Sequence, residues 1–224
     1  MNDALLPCGL IVDPDPQSGQ RNMDIDGQLL QRVVDDASTS VVRIYRWARP
    51  TVSLGYFQKH GDQIDPRLEN CDRVKRITGG GAILHDDELT YSCAVPPTHP
   101  ARSNPTELYC HVHAAVIDLL KTCGVECAMR KDVAASDDGA AANEPFLCFL
   151  RADPRDVVCR GQKILGSAQR RRKGAILQHG SILLRRSKLT PEIPGIADLC
   201  PDFNEAAFTT ELPAAVAMAV ATAR

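Results

Sequence analysis

Residues 161–184 read Gly-Gln-Lys-Ile-Leu-Gly-Ser-Ala-Gln-Arg-Arg-Arg-Lys-Gly-Ala-Ile-Leu-Gln-His-Gly-Ser-Ile-Leu-Leu, and this stretch decides the kind of fold. Gly161-Gln162 is a two-residue turn signal between two β-type runs, Val157 to Arg160 and Lys163 to Ala168. Arg170-Arg171-Arg172-Lys173-Gly174 turns the chain again, and Ala175 to Leu184 continues as a further strand. Strands joined by turns this short have no room for a helical crossover, so they pair antiparallel. The upstream half repeats the pattern. Val41 to Trp47 reads as a strand, broken by Arg49-Pro50, and Thr51 to Phe57 as the next. Arg73 to Thr78 is a third, ending at Gly79-Gly80-Gly81; Ala82 to His85 and Leu89 to Val95 follow, linked by Asp86-Asp87-Glu88.

Helices are few. Asn22 is placed to cap one over roughly 23–37, with Ile25, Leu29, Val33 and Ala37 on one face. Asn104 as N-cap, Pro105 as N1 and Glu107 as N3 open a second, on which Leu108, Val112, Val116, Leu119 and Leu120 recur at helical spacing until Gly124. Glu205 to Arg224 is a third, rich in small residues. Residues 1–20, with Pro7, Pro14 and Pro16, are an irregular lead, and 134–143 is a surface loop poor in large apolar groups. No internal repeat is present. The expectation is an α+β fold with a mixed, largely antiparallel sheet and flanking helices, not a doubly wound one. A single domain over 1–224 is expected, its core about 22–190, with a short helical tail.

Composition narrows the function classes. A formal charge of −2 argues against nucleic acid as the main partner. No run of eighteen apolar residues exists to span a membrane, and the acidic start (Asp3, Asp13, Asp15) is not a secretory signal. Nine scattered cysteines, an odd count, suit reduced thiols in a cytoplasmic protein rather than a disulfide framework. Cys110, His111, His113, Cys123 and Cys127 lack the paired spacing of a zinc site, so no metal is expected. A monomer is the default expectation.

Three segments carry chemistry. In Arg76-Ile-Thr-Gly-Gly-Gly-Ala-Ile-Leu-His85, three glycines after a strand let a ligand approach the main chain, whose N–H groups can serve as donors to a carbonyl, thioester or phosphate oxygen. Taken alone, they are equally a tight turn. No Lys-Ser/Thr follows, so this is not a Walker loop. In Gln162 to Arg170, Lys163 puts a cation beside the small residues Gly166, Ser167 and Ala168, which leave room for a bound chain; Lys163 and Ile164 point to opposite faces, so only one of them is expected in the core. The plain alternative is a solvated lysine. In Leu177 to Leu184, His179 beside Gly180 is either a site residue or a hydrogen-bonded core histidine.

Together the three segments resemble the lipoate–protein ligase, octanoyltransferase and biotin–protein ligase superfamily. Its marker stretches appear in order as Arg76 to Asp86, Gly161 to Arg170 and Gln178 to Leu183, and Arg46-Trp47 to Gln58 is similar to the family's early strand pair. The resemblance covers roughly 22–190 and implies the fold of that catalytic domain. It also implies substrate-binding roles for Arg76, Gly79, Gly80, Gly81, His85, Gly166, Ser167, Ala168, His179 and Gly180, with Lys163 catalytic.

The resemblance leaves several chemistries: a ligase that uses ATP and Mg to form an acyl-adenylate, an octanoyltransferase, or an octanoyl amidotransferase between carrier proteins. Cys148, in Pro145-Phe-Leu-Cys-Phe149, lies fifteen residues before Lys163, similar to the cysteine-dependent, lipoate-ligase-like octanoyltransferases. There the cysteine accepts the acyl group; a thiolate attacks a thioester readily, and a neighbouring lysine cation favours the thiolate. Backbone N–H groups near Gly80, Gly81 or Gly166 would hold the oxyanion, and His85 or Lys163 would assist the attacking amine. Cys200, 37 residues after Lys163, is the rival nucleophile, as in the shorter octanoyltransferase type, and Cys159 ranks third. The chain stops soon after the core, whereas ligases of the family often carry a further domain of about a hundred residues. The implied donor is octanoyl-acyl carrier protein, the acceptor a lysine of a lipoyl carrier domain (glycine cleavage H protein or dehydrogenase E2), and the cofactor none. Arg170 to Lys173 reads either as a dock for the acidic donor or as a solvated tip. Loop 134–143 reads as a gate to the acyl tunnel. A non-enzymatic relative that only binds a carrier domain is the remaining alternative.

Overall fold

A computed structural model describes residues 6–59, 65–133 and 145–223. The strands are β1 (Cys8–Val12), β2 (Ser40–Tyr45), β3 (Thr51–Leu54), β4 (Asp72–Lys75), β5 (Ile83–His85), β6 (Glu88–Val95), β7 (Ala128–Met129), β8 (Val157–Cys159), β9 (Gln162–Arg172) and β10 (Ala175–Leu183). The helices are α1 (Gly19–Asp35), α2 (Pro105–Thr122), α3 (Ile196–Leu199) and α4 (Glu205–Thr222). Seven strands form one sheet in the order β1-β2-β6-β10-β9-β8-β7, and three form a second, β4-β3-β5. In the large sheet only β1–β2 is parallel; in the small one β3–β4 is parallel and β3–β5 antiparallel. The α+β class with a mixed, largely antiparallel sheet and flanking helices is therefore what the chain adopts.

Period-two alternation on β10 sorts the core. Ile176 and Ile182 face the layer of α2 and α4, where Leu108, Val112, Val116 and Leu120 meet Phe208, Leu212, Val216 and Val220. Ala175 and Leu177 face α1, against Leu29, Leu30 and Val33. All nine residues of β10 are buried, as suits a central strand covered on both sides. The small sheet packs a separate cluster of Val52, Leu54, Leu68, Ala82, Leu84 and Leu147.

Several local expectations shift. α1 starts earlier because Ser18, not Asn22, is the cap: its Oγ accepts from Arg21 N. Asn22 is buried inside the helix, accepting from the buried Arg43 (2.7 Å) and donating to Arg46 O. Ala37 falls beyond the helix. Asn104 sits at the N-cap of α2 but makes no capping bond; its side chain donates to Glu107 Oε1 (2.8 Å). The first hairpin turn is Arg160-Gly161, not Gly161-Gln162, with φ of 50° and 78°; the second is Lys173-Gly174, with 49° and 85°. Both central residues at positive φ is the turn type whose twist matches a hairpin. Arg170 to Arg172 thus belong to β9 rather than to a tip. Residues 134–143 lie outside the described residues.

Candidate active site

The hairpin β8–β9 delivers Lys163 to the interior. Lys163 is 6% exposed and Ile164 wholly buried, so both are in the core, against the alternation expected of a half-exposed strand. The lysine is tolerated there because Asp156, just before β8, meets its Nζ at 2.8 Å. Burial raises the Asp156 pKa, and the lysine pulls against that rise. The same Nζ lies 3.3 Å from Cys148 O and 3.8 Å from Cys148 Sγ, with the Phe149 ring at 5.2 Å. The Gly166 position makes this possible: a Cβ there would stand 2.5 Å from Lys163 Cε and 2.8 Å from Nζ. Gly166 thus makes room for the catalytic candidate's own side chain.

The cysteine segment is zipped to the end of the glycine loop. Ala82 N donates to Phe146 O and Cys148 N to Ala82 O (2.7 Å), a short parallel bridge between Ala82 and Leu147. Arg76, 1% exposed, holds the loop: its Nη2 donates to Gly79 O and Gly81 O, both at 2.7 Å, and its Nη1 to Ser53 O at 2.9 Å. Its guanidinium braces the main chain more than it faces a ligand. Gly80 has a φ of 93°, a left-handed conformation costly for other residues. The amides of Gly80 and Gly81 make no hydrogen bond to the described residues.

Two spaces meet at Cys148. The inner one, about 470 Å³ with its mouth, is lined by apolar Met23, Trp47, Ile83 and Phe149 and by Gly166, Ser167, Ala168 and Gly180. His85 and His179 border it, each fixed by hydrogen bonds. His85 Nδ1 donates to Glu88 Oε1 (2.8 Å), its Nε2 accepts from Ser53 Oγ (2.7 Å), and its ring stacks on Trp47 at 3.8 Å. Burial lowers its pKa, against the pull of Glu88. Both ring nitrogens are thus engaged, although His85 and Cys148 border the same cavity. His179 Nε2 meets Thr78 Oγ1 (2.6 Å) and its Nδ1 Asp26 Oδ2 (3.1 Å), tying β10 to the strand end before the glycine loop and to α1. The outer space is a polar cleft of about 220 Å³, walled by Tyr109, His113, Arg151, Asp153, Arg155, Asp156 and Lys163. Gly80, Cys148 and Ser167 border both spaces.

Cys200 borders neither. It is buried in the main core with its Sγ 3.5 Å from that of Cys159, and the rivalry of both for the nucleophile's place fails on position. Sequence reading missed Asp156, one of two carboxylates in a turn-like Asp-Pro-Arg-Asp, and His113. The signal for His113 was present: it is the polar member of the buried set Leu108, Val112, His113, Val116 of α2.

The pattern of the Lipoyl protein ligase A/B catalytic domain family matches residues 18–191. Over 174 residues, 75% of this chain and 62% of the relative, the sequence is 37% identical to octanoyltransferase LipM of Carboxydothermus hydrogenoformans. Over 173 residues, 73% and 60%, it is 40% identical to octanoyltransferase LipM of Geobacillus kaustophilus. The chain spans about three fifths of the length of these curated relatives. Among solved structures, lipoate-protein ligase A bound with ATP superposes with a TM-score of 0.68 at 18% identity, covering 96% of this chain and 85% of the other. The bi-partite lipoate protein ligase of Thermoplasma acidophilum gives 0.66 at 18%, covering 95% and 84%. At that identity these two share the fold.

Proposed function

This chain belongs to the Lipoyl protein ligase A/B catalytic domain family, and we propose that it is an octanoyltransferase of lipoate biosynthesis working through a thioester on Cys148. One observation carries the reading: Cys148 Sγ lies 3.8 Å from the buried Lys163 Nζ, where an apolar cavity meets a polar cleft. The likeness to octanoyltransferases LipM supports it. The donor is octanoyl-acyl carrier protein and the acceptor a lysine of a lipoyl carrier domain, glycine cleavage H protein or dehydrogenase E2. The Cys148 sulfur, 3.8 Å from the Lys163 ammonium, attacks the donor's thioester carbon as the thiolate. The octanoyl chain enters the apolar cavity, and the cleft takes the polar arm of the donor and later the acceptor lysine. In this reading the Gly80 and Gly81 amides hold the oxyanion, each such donor being worth about 3 kcal/mol in acyl transfer. The acyl energy arrives in the donor's thioester, so the reaction calls for neither nucleotide nor metal.

Intact mass tests this. Mixing with octanoyl-acyl carrier protein is expected to add one octanoyl group, absent in Cys148→Ala. An acylated carrier domain formed at the wild-type rate by Cys148→Ala, or formed only with free lipoate and ATP, overturns the reading.

A further inference from the structure

In the second half-reaction of the thioester reading the attacking amine must shed a proton, and the polar cleft holds, besides Lys163, a side chain with a lone pair to take it. His113, 1% exposed on α2, has Nδ1 2.6 Å from the carbonyl oxygen of Arg155. A carbonyl can only accept, so Nδ1 carries the hydrogen and neutral His113 presents a bare Nε2. That Nε2 is 2.6 Å from Ser167 Oγ, so Ser167 donates to it. Ser167 Oγ is also 2.6 Å from Tyr91 OH, which must then donate to Ser167. Tyr91 in turn accepts from Gln178 Nε2 (2.9 Å), and Gln178 Oε1 from Gln169 Nε2 (2.8 Å). Every hydrogen in this chain points the same way, from the far end of β9 toward the cleft. Ser167 thereby has its proton committed to His113 and one lone pair left over. It borders both the cavity and the cleft, as Cys148 does. A hydroxyl in that state receives a donor; it does not donate to an oxyanion.

We infer that Ser167 and His113 form the proton relay for aminolysis of the acyl-enzyme, an inference that rests on the thioester reading. The free amine of the acceptor lysine attacks the thioester carbon. The C–N bond forms and the C–S bond breaks, its electron pair remaining on Cys148 Sγ. The surplus amine proton passes to Ser167 Oγ as the Ser167 proton passes to His113 Nε2. The imidazolium then returns that proton through Ser167 to the thiolate or to solvent. Burial, and the Lys163 and Arg155 cations against the Arg155 carbonyl and Asp153, bring the His113 pKa down to about 4. His113 is therefore neutral when it must accept and quick to release. Tyr109 lies ring to ring with it at 6.1 Å, and Asp156, Arg151 and Cys148 wall the same cleft.

Separating the half-reactions tests the relay. The octanoyl-enzyme is formed from octanoyl-acyl carrier protein, isolated, and mixed either with lipoyl carrier domain or with hydroxylamine, a weakly basic nucleophile whose surplus proton passes to water after attack without a protein base. In His113→Gln and in Ser167→Ala, transfer to the carrier lysine is expected to fall 10²-fold or more, the scale of a lost general base, and to climb with pH where the wild type levels off. Release by hydroxylamine is expected to stay near the wild-type rate. Wild-type transfer in His113→Gln, or hydroxylamine release falling in step with transfer, overturns the relay and leaves the thioester standing. A wild-type protein that takes no octanoyl group overturns both.

Discussion

Lys163 and Asp156 have side chains 4% and 5% exposed, and they meet at 2.8 Å. A buried pair of this kind adds little net stability, but removing one member strands the other charge in the interior, at a cost of about 3–5 kcal/mol. Lys163→Met is therefore expected to lose roughly that much in urea unfolding, and the double variant Lys163→Met/Asp156→Asn to recover about half of it. Additive losses in that cycle would mean that the two residues do not depend on each other. Asp156→Asn alone is expected to slow acylation of Cys148 about 10²-fold, because the ammonium loses what holds it 3.8 Å from the sulfur. Cys148 and Lys163 stood out in the sequence only through the resemblance to the cysteine-dependent octanoyltransferases, because one of nine thiols and one lysine of a strand carry no distinguishing local signal. Asp156 did not. In Asp153-Pro-Arg-Asp156 the two carboxylates look alike, and only the fold sends one to Arg155 at 2.8 Å and the other to Lys163.

The strand β9 shows how one element converts backbone geometry into a site. Gly166, Ser167 and Ala168 lie where β9 pairs with Ser181, Gly180 and His179. Small residues there read as space for a substrate, and part of that space belongs to the protein itself. A Cβ at Gly166 would press on the far end of Lys163, a flexible chain that can swing away. Gly166→Ala is thus expected to fold within about 1 kcal/mol of wild type while losing about 10²-fold in acylation, since an ångström of misplacement costs that much. Gly55 makes the opposite case: a Cβ there would meet Gly80 O at 2.0 Å, backbone against backbone. Gly55→Ala is expected to disturb the glycine loop itself and to lower thermal stability, which a melting curve distinguishes from the first variant. Hairpins and the amphipathic α2 were legible because their periods and turn residues are local. The start of α1 was misplaced because Ser18 and Asn22 are both good caps, and the choice was made at a distance by Arg43, which takes Asn22 into the core at 2.7 Å.

For the molecule as a whole, buried histidines set the response to acid. An unfolded chain binds a proton on each histidine near pH 6.5, whereas His113 in the fold resists until about pH 4. Between those values the unfolded state holds the extra proton, so stability falls as pH falls through that window and is fully present above it. The full difference is about 3 kcal/mol for this one wholly buried group, of which about 2 kcal/mol is lost between pH 7 and pH 5. Burial lowers His85 too, in the same direction, so it steepens the fall. Urea unfolding at pH 7 and pH 5 is expected to show His113→Gln losing less stability than wild type by about 2 kcal/mol, whatever its stability at pH 7. The difference in slope is the informative quantity, because the level also records the lost hydrogen bonds to Ser167 and Arg155. An identical slope in the two proteins would mean that His113 takes up its proton alike in the fold and in the unfolded chain, and a wild type losing less than His113→Gln would mean that His113 is already charged in the fold. It would then have no lone pair to offer Ser167, so this measurement on the resting protein bears on the relay without any substrate.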